Sequence, residues 1–187
     1  MLWLHSWLQA GGRLLISSFL LASASFSLHA STPIEEIRLV DFELKDQFGD
    51  IHLRRDVEGT IVLLIGSDKD GSEYNGLWSK AIHDALGAHP DYSQISHLAY
   101  ADVRGVPFFL KGVIRGYFPE EPENWILMGW KGELAEIYDF VPESTNILLF
   151  GPNGDLVHLA SGHELDEDVL DSLITALREQ LDNLATP

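Results

Sequence analysis

A chain of 187 residues, 45% of them hydrophobic, is long enough for one α/β domain with a sizeable core and a short N-terminal extra. Its 29 acidic against 12 basic residues, a formal charge of −17, repel phosphate backbones and exclude nucleic-acid binding as the expected role. With no cysteine, it can hold no disulfide framework, no thiol–disulfide couple and no peroxide-reactive thiolate.

Residues 1–30 carry no acid, a single arginine (Arg13) and the apolar stretch Leu14 to Ala22, the pattern of a secretory leader. The small residues Ala22 and Ala24 place cleavage after Ala24, with Ala30 as the other candidate. The stretch is shorter than the ~20 residues a spanning helix needs and is rich in serine. The mature part, a single domain over 31–187, is therefore expected to be exported to the periplasm or secreted, with no stable membrane span. Losing Arg13 takes the formal charge from −17 to −18, read here as a well-solvated surface.

In chain order, Phe42 to Lys45 and Ile51 to Leu53 alternate apolar and polar residues around Asp46-Gln47-Phe48-Gly49-Asp50, which predicts a β-hairpin. Thr60 to Ile65 is a continuous apolar run, a central strand buried on both faces. A loop from Gly66 to Gly71 follows, then Leu77, Trp78, Ala81, Ile82, Ala85 and Leu86 recur at helical spacing. His97 to Val103 reads as a strand. Pro107 to Phe118 reads as a helix with Phe109, Val113, Ile114 and Tyr117 on one face, weakened by Gly112 and Gly116. Trp125 to Met128 suits a strand and Glu133 to Tyr138 a short helix. Asn146 to Phe150 and Leu156 to Ala160 flank a Gly-Pro-Asn-Gly-Asp turn, and Leu165 to Leu181 closes the chain as a helix with Asp166, Glu167 and Asp168 at its positive end. The order predicts a mixed sheet covered on both faces.

Several segments, in order, resemble the thioredoxin-like superfamily, and within it the redoxins and peroxiredoxins. Phe42-Glu43-Leu44-Lys45-Asp46-Gln47-Phe48-Gly49 is similar to an "F-x-L-x-D-x-x-G" opening. Gly59 before Ile61-Val62-Leu63-Leu64, the stretch Leu127 to Phe140 and the hairpin Asn146 to Val157 resemble later parts of the same family. The resemblance implies a thioredoxin-like α/β fold with an N-terminal hairpin, and it sets Asp70-Gly71-Ser72-Glu73 where such proteins carry their reactive cysteines. It also sets Thr145 at the position of a cis-proline, and a non-proline cis bond costs ~3 kcal/mol, so that peptide is expected to be trans.

At a helix start, Asp70 and Glu73 are stabilised in their charged forms and are poor bases and nucleophiles, while Ser72 is placed to act as an N-cap. Asp68, Asp70 and Glu73 form at most a loose calcium site, because an EF-hand in this register lacks acids where Gly66 and Leu77 stand. His158, His163 and Glu164 lack a metal-ligand spacing, and neither a nucleophile turn nor a phosphate loop occurs. Arg104, Lys111 and Arg115 accompany Phe108, Phe109, Tyr117 and Phe118. This reads as a core-facing aromatic stripe with its cations on the wet side, the other reading being a docking face. Trp125 and Trp130 pose the same question.

The functional expectation is an exported binding protein without thiol chemistry and without a cofactor, whose candidate binding residues are Asp68, Asp70, Ser72, Glu73 and Thr145. Its partner would be an envelope protein, a peptide or a small ligand. The alternatives are a redoxin-type antioxidant or oxidoreductase acting through a bound metal or cofactor, and a structural envelope protein.

Overall fold

Alternation around a glycine-bearing turn produces the expected hairpin, in which β1 (Glu43–Lys45) pairs antiparallel with β2 (Ile51–Leu53). The turn takes Gly49 through φ 99°, open to glycine and strained for other residues. The structure, a computed structural model, describes residues 37–184. The expected leader and its cleavage points after Ala24 or Ala30 lie outside the described residues.

The strand continues two residues beyond the expected apolar run, giving β3 (Ile61–Ser67), buried at all seven positions. Gly66 and Ser67 therefore belong to the strand, and the loop before α1 (Ser72–Leu86) shortens to Asp68–Gly71. After α1 come β4 (Ile95–Asp102), a turn of 3-10 helix at Phe108–Leu110, α2 (Lys111–Arg115), β5 (Leu127–Gly129) and α3 (Glu133–Ile137). The chain ends with β6 (Thr145–Phe150), β7 (Leu156–Gly162) and α4 (Glu167–Leu184). Five strands form one mixed sheet in the order β5-β4-β3-β6-β7, with β3, β4 and β5 parallel and β6 antiparallel to β3. Among the described residues no helix is long and apolar enough to cross a membrane.

The strand period of two splits β3 between two cores. Ile61, Leu63 and Ile65 meet Trp78, Ile82 and Leu86 of α1 and Leu173, Leu177 and Leu181 of α4. Val62 and Leu64 meet Leu134, Ala135 and Tyr138 on or beside α3, together with Leu39 and Leu44 from the N-terminal side. Helices thus cover both faces, as the sequence predicts.

Two buried polar residues fasten the hairpin. Asp46 Oδ1 accepts the N–H groups of Phe48, Gly49 and Asp50 at 2.8–2.9 Å, and its Oδ2 meets His52 Nε2 at 2.9 Å. Gln47 donates to the carbonyls of Pro119 and Asn124 and accepts from Ile126 N–H, so one side chain anchors the irregular 119–126 segment. The His52 ring stacks on Trp125 at 4.1 Å.

The segment 107–118 departs from expectation. α2 spans five residues, and Phe109, Val113 and Tyr117 are 70%, 58% and 80% exposed, so this is not a core-facing stripe. The reason is which side faces inward. Lys111 and Arg115 lie four residues apart and approach the Trp130 ring, at 4.5 and 6.0 Å. The row Phe109, Val113, Tyr117 is offset from them by two residues, about 200° around a helix, and is turned outward.

Candidate functional site

The parallel strands end together, so the loop after β3 and the start of α1 share one end of the sheet with the segment that enters antiparallel β6. Asp68 ties the two. Its Oδ1 accepts Gly71 N–H at 2.8 Å, closing a local turn, and its Oδ2 accepts Glu143 N–H at 2.8 Å across the gap. Glu143 is held there at φ 58°, a left-handed conformation uncommon outside glycine. Gly71 then packs directly on the opposite loop: a Cβ at this position would stand 2.6 Å from the Ser144 nitrogen.

Below this contact lies a polar bridge. Thr145, fully buried, donates its hydroxyl to Asn75 Oδ1 at 2.8 Å, and Asn75 Nδ2 donates to the buried Ser67 hydroxyl at 2.9 Å. Asn146 clips its own loop, donating to the carbonyls of Val141 and Ser144 and accepting Val141 N–H. The Ser144 hydroxyl donates to Pro142 O at 3.2 Å. The described residues contain no cis peptide bond, so Thr145 reaches this position by a trans peptide.

Of the predicted residues, Asp68 is half-buried and spends both oxygens on backbone N–H groups, while Asp70, Ser72 and Glu73 are exposed. Ser72 is not the N-cap. It is the first residue of α1, Gly71 stands at the cap, and the Ser72 hydroxyl donates to Lys69 O at 2.6 Å. Thr145 belongs to the layer beneath the surface, where it positions the loop. Glu143 and the half-exposed Val141 complete the rim, and sequence reasoning did not single them out. Asn75 was missed as well, although a signal existed: it stands three residues before Trp78 and seven before Ile82, on the inward stripe of α1.

The next turn of α1 adds Tyr74, whose ring lies 5.7 Å from that of His163. The Tyr74 phenol is raised above its ordinary pKa by a hydrogen bond to Glu73, then by partial burial and by the charges of Glu73 and Glu164. His158, His163 and Glu164 form no metal cluster, and neither do Asp68, Asp70 and Glu73. Among the described residues no three His, Cys, Asp or Glu side chains converge to hold an ion.

The chemistry on offer is narrow. The hydroxyls of Ser67, Ser72, Ser144 and Thr145 are all engaged in hydrogen bonds, and none is bonded to a histidine that would act as its base. The outer surface presents carboxylates from Asp70, Glu73 and Glu143 around Pro142 and Val141, suited to accepting hydrogen bonds and cationic groups.

Solved structures share this architecture. The exposed lipoprotein thioredoxin Etrx1 from Streptococcus pneumoniae is similar to 73% of this chain over 98% of its own, with 20% identity and a TM-score of 0.51. A protein assigned as a thiol:disulfide interchange protein DsbE from Chlorobium tepidum is similar over 78% of this chain and 96% of its own, with 16% identity and a TM-score of 0.54. BsSco, a member of the Sco family of cytochrome c oxidase assembly proteins in which a disulfide switch was identified, covers 79% and 95%, with 14% identity and a TM-score of 0.51. No family model matches the chain, and no curated protein matches its sequence. The fold is thioredoxin-like, and this copy of it carries no cysteine.

Proposed function

We propose that this chain is an exported thioredoxin-fold protein that binds an envelope protein, a peptide or a small ligand, and performs no thiol chemistry of its own. The binding surface is the end of the sheet where Asp70, Glu73 and Glu143 are exposed around Pro142 and Val141. One observation carries the reading: the two loops are locked to each other by Asp68 and by the Gly71–Ser144 contact, with every hydroxyl beneath them satisfied. A surface so preorganised costs little to order on binding. The leader pattern of residues 1–30 supports export, as does the resemblance in fold to an exposed lipoprotein.

A photo-crosslinking residue at Asp70, Glu73 or Glu143, introduced into the full chain in its native cells, is expected to capture one common partner that a probe at the exposed Glu58 does not. Unchanged capture in an Asp70→Ala, Glu73→Ala double variant would remove the surface from consideration. Export is read separately, from fractionation and from the N-terminus of the mature chain, expected at Ser25 or Ser31.

A further inference from the structure

A second surface lies on the same end of the sheet and is built from different chemistry. Trp130 follows β5 directly, as the Asp68 loop follows β3, and β4 alone separates those parallel strands, a spacing of roughly 10 Å. Over Trp130 sit Lys111 and Arg115, and outside them stand Phe109, Leu110, Val113 and Tyr117, all more than a third exposed.

The charge of this patch is distinguished by what holds it, the Trp130 ring. Arg38, Arg54, Lys80 and Arg104 each meet a carboxylate within 4 Å, whereas Lys45, Arg55, Lys69, Lys131 and Arg178 form no such pair among the described residues and no contact with a ring face either. Lys111 and Arg115 form no such pair among the described residues, although Glu120, Glu121 and Glu123 follow closely in sequence. Trp130 holds both cations through its ring face, an arrangement that fixes their positions without neutralising them. Two unneutralised cations therefore border four exposed large apolar side chains.

We propose that segment 107–118 is a docking surface for an acidic, apolar segment of a partner protein, whose carboxylates pair with Lys111 and Arg115 while its apolar side chains cover Val113 and Tyr117. Charge complementarity selects this occupant. A two-fold dimer through the patch would set Lys111 and Arg115 against their own copies. An anionic bilayer would have to accept a molecule of formal charge −17 at close range. The proposal does not require the Asp70 surface to bind anything.

The probe is a synthetic peptide alternating glutamate with leucine and phenylalanine, titrated into the full chain while backbone amides and the Trp130 indole N–H are followed by NMR. The expected result is saturable shifts over 107–118 and at Trp130, with affinity falling about tenfold or more from about 50 to about 500 mM salt. A Val113→Ser, Tyr117→Ser variant should lose about tenfold or more in affinity with the melting temperature unchanged, a Lys111→Glu, Arg115→Glu variant should lose at least as much, and Asp70→Ala, Glu73→Ala should bind as the parent does. The proposal is overturned by no saturable shift at millimolar peptide, or by equal binding of the same peptide with lysine in place of glutamate. It is also overturned if phosphatidylglycerol vesicles perturb the segment more than the peptide, or if the same shifts arise from protein concentration alone.

Discussion

Asp46 shows how much a single buried carboxylate organises. Burial alone would raise its pKa, but the bond from His52 and those from the N–H groups of Asp50, Gly49 and Phe48 outweigh it and hold the carboxyl below its ordinary value. The sign follows directly: the unfolded chain takes up this proton first as pH falls, so the contribution of Asp46 is complete above about pH 4 and is lost as pH drops through the folded value. Urea midpoints measured from neutral to acid pH should therefore fall less steeply in Asp46→Asn than in the parent. At neutral pH, Asp46→Ala should cost about 3 kcal/mol by freeing three backbone donors of the turn. The turn that this aspartate closes was legible in the sequence, because a polar, glycine-bearing run separates two alternating segments, while the buried acceptor role of Asp46 was not. Nor was that of Gln47, next to it, since its partners at Pro119, Asn124 and Ile126 lie more than seventy residues away in a segment without periodicity.

Elements with a clean period were readable, and those whose fate depends on a neighbour were not. β3 and α4 follow from apolar spacing alone, within one to three residues at their ends, and α1 ends with its apolar spacing at Leu86 but begins at Ser72, before that spacing starts at Leu77. Segment 107–118 has a period too, but period does not say which face turns inward, and the Trp130 ring settles that in favour of the cations. At the candidate site the sequence located the loop and the helix start, while the closure by Asp68, Gly71 and Ser144 depends on tertiary approach. Two glycines of one helix end test that closure. Gly71→Ala sets a methyl into the Ser144 backbone and should cost about 2–3 kcal/mol, with faster hydrogen exchange at the Glu143 amide as the Asp68 bond opens. Gly76→Ala, where a Cβ meets nothing within 4 Å, should instead stabilise by about 0.5–1 kcal/mol. Equal effects at the two positions would mean that the loops are not packed together.

Across the whole molecule, a formal charge of −17 acts against compactness even where each exposed carboxylate is individually harmless. Raising salt from about 20 to about 200 mM at neutral pH should raise the melting temperature by a few degrees, most of it below about 100 mM, as repulsion is screened. A flat response would place the acidic residues too far apart to interact. The fold class itself was legible because strand and helix order, hairpin turns and two-sided burial of β3 all agree. A ligand was not, because the exposed residues at the start of α1, Asp70 and Glu73, are side chains that fit many partners.

The outer strand β7 gives that charge a second meaning. Among the described residues it ends the sheet; Leu156 donates to Ile37 O at its start, and beyond it Val157 and Leu159 are 38% and 54% exposed, with neither lysine nor proline to blunt the edge. Mutual repulsion between molecules then works against one edge adding to another. Acidification should weaken it, so turbidity of the folded chain is expected to rise as pH falls from neutral, and to rise less in a Leu159→Lys variant.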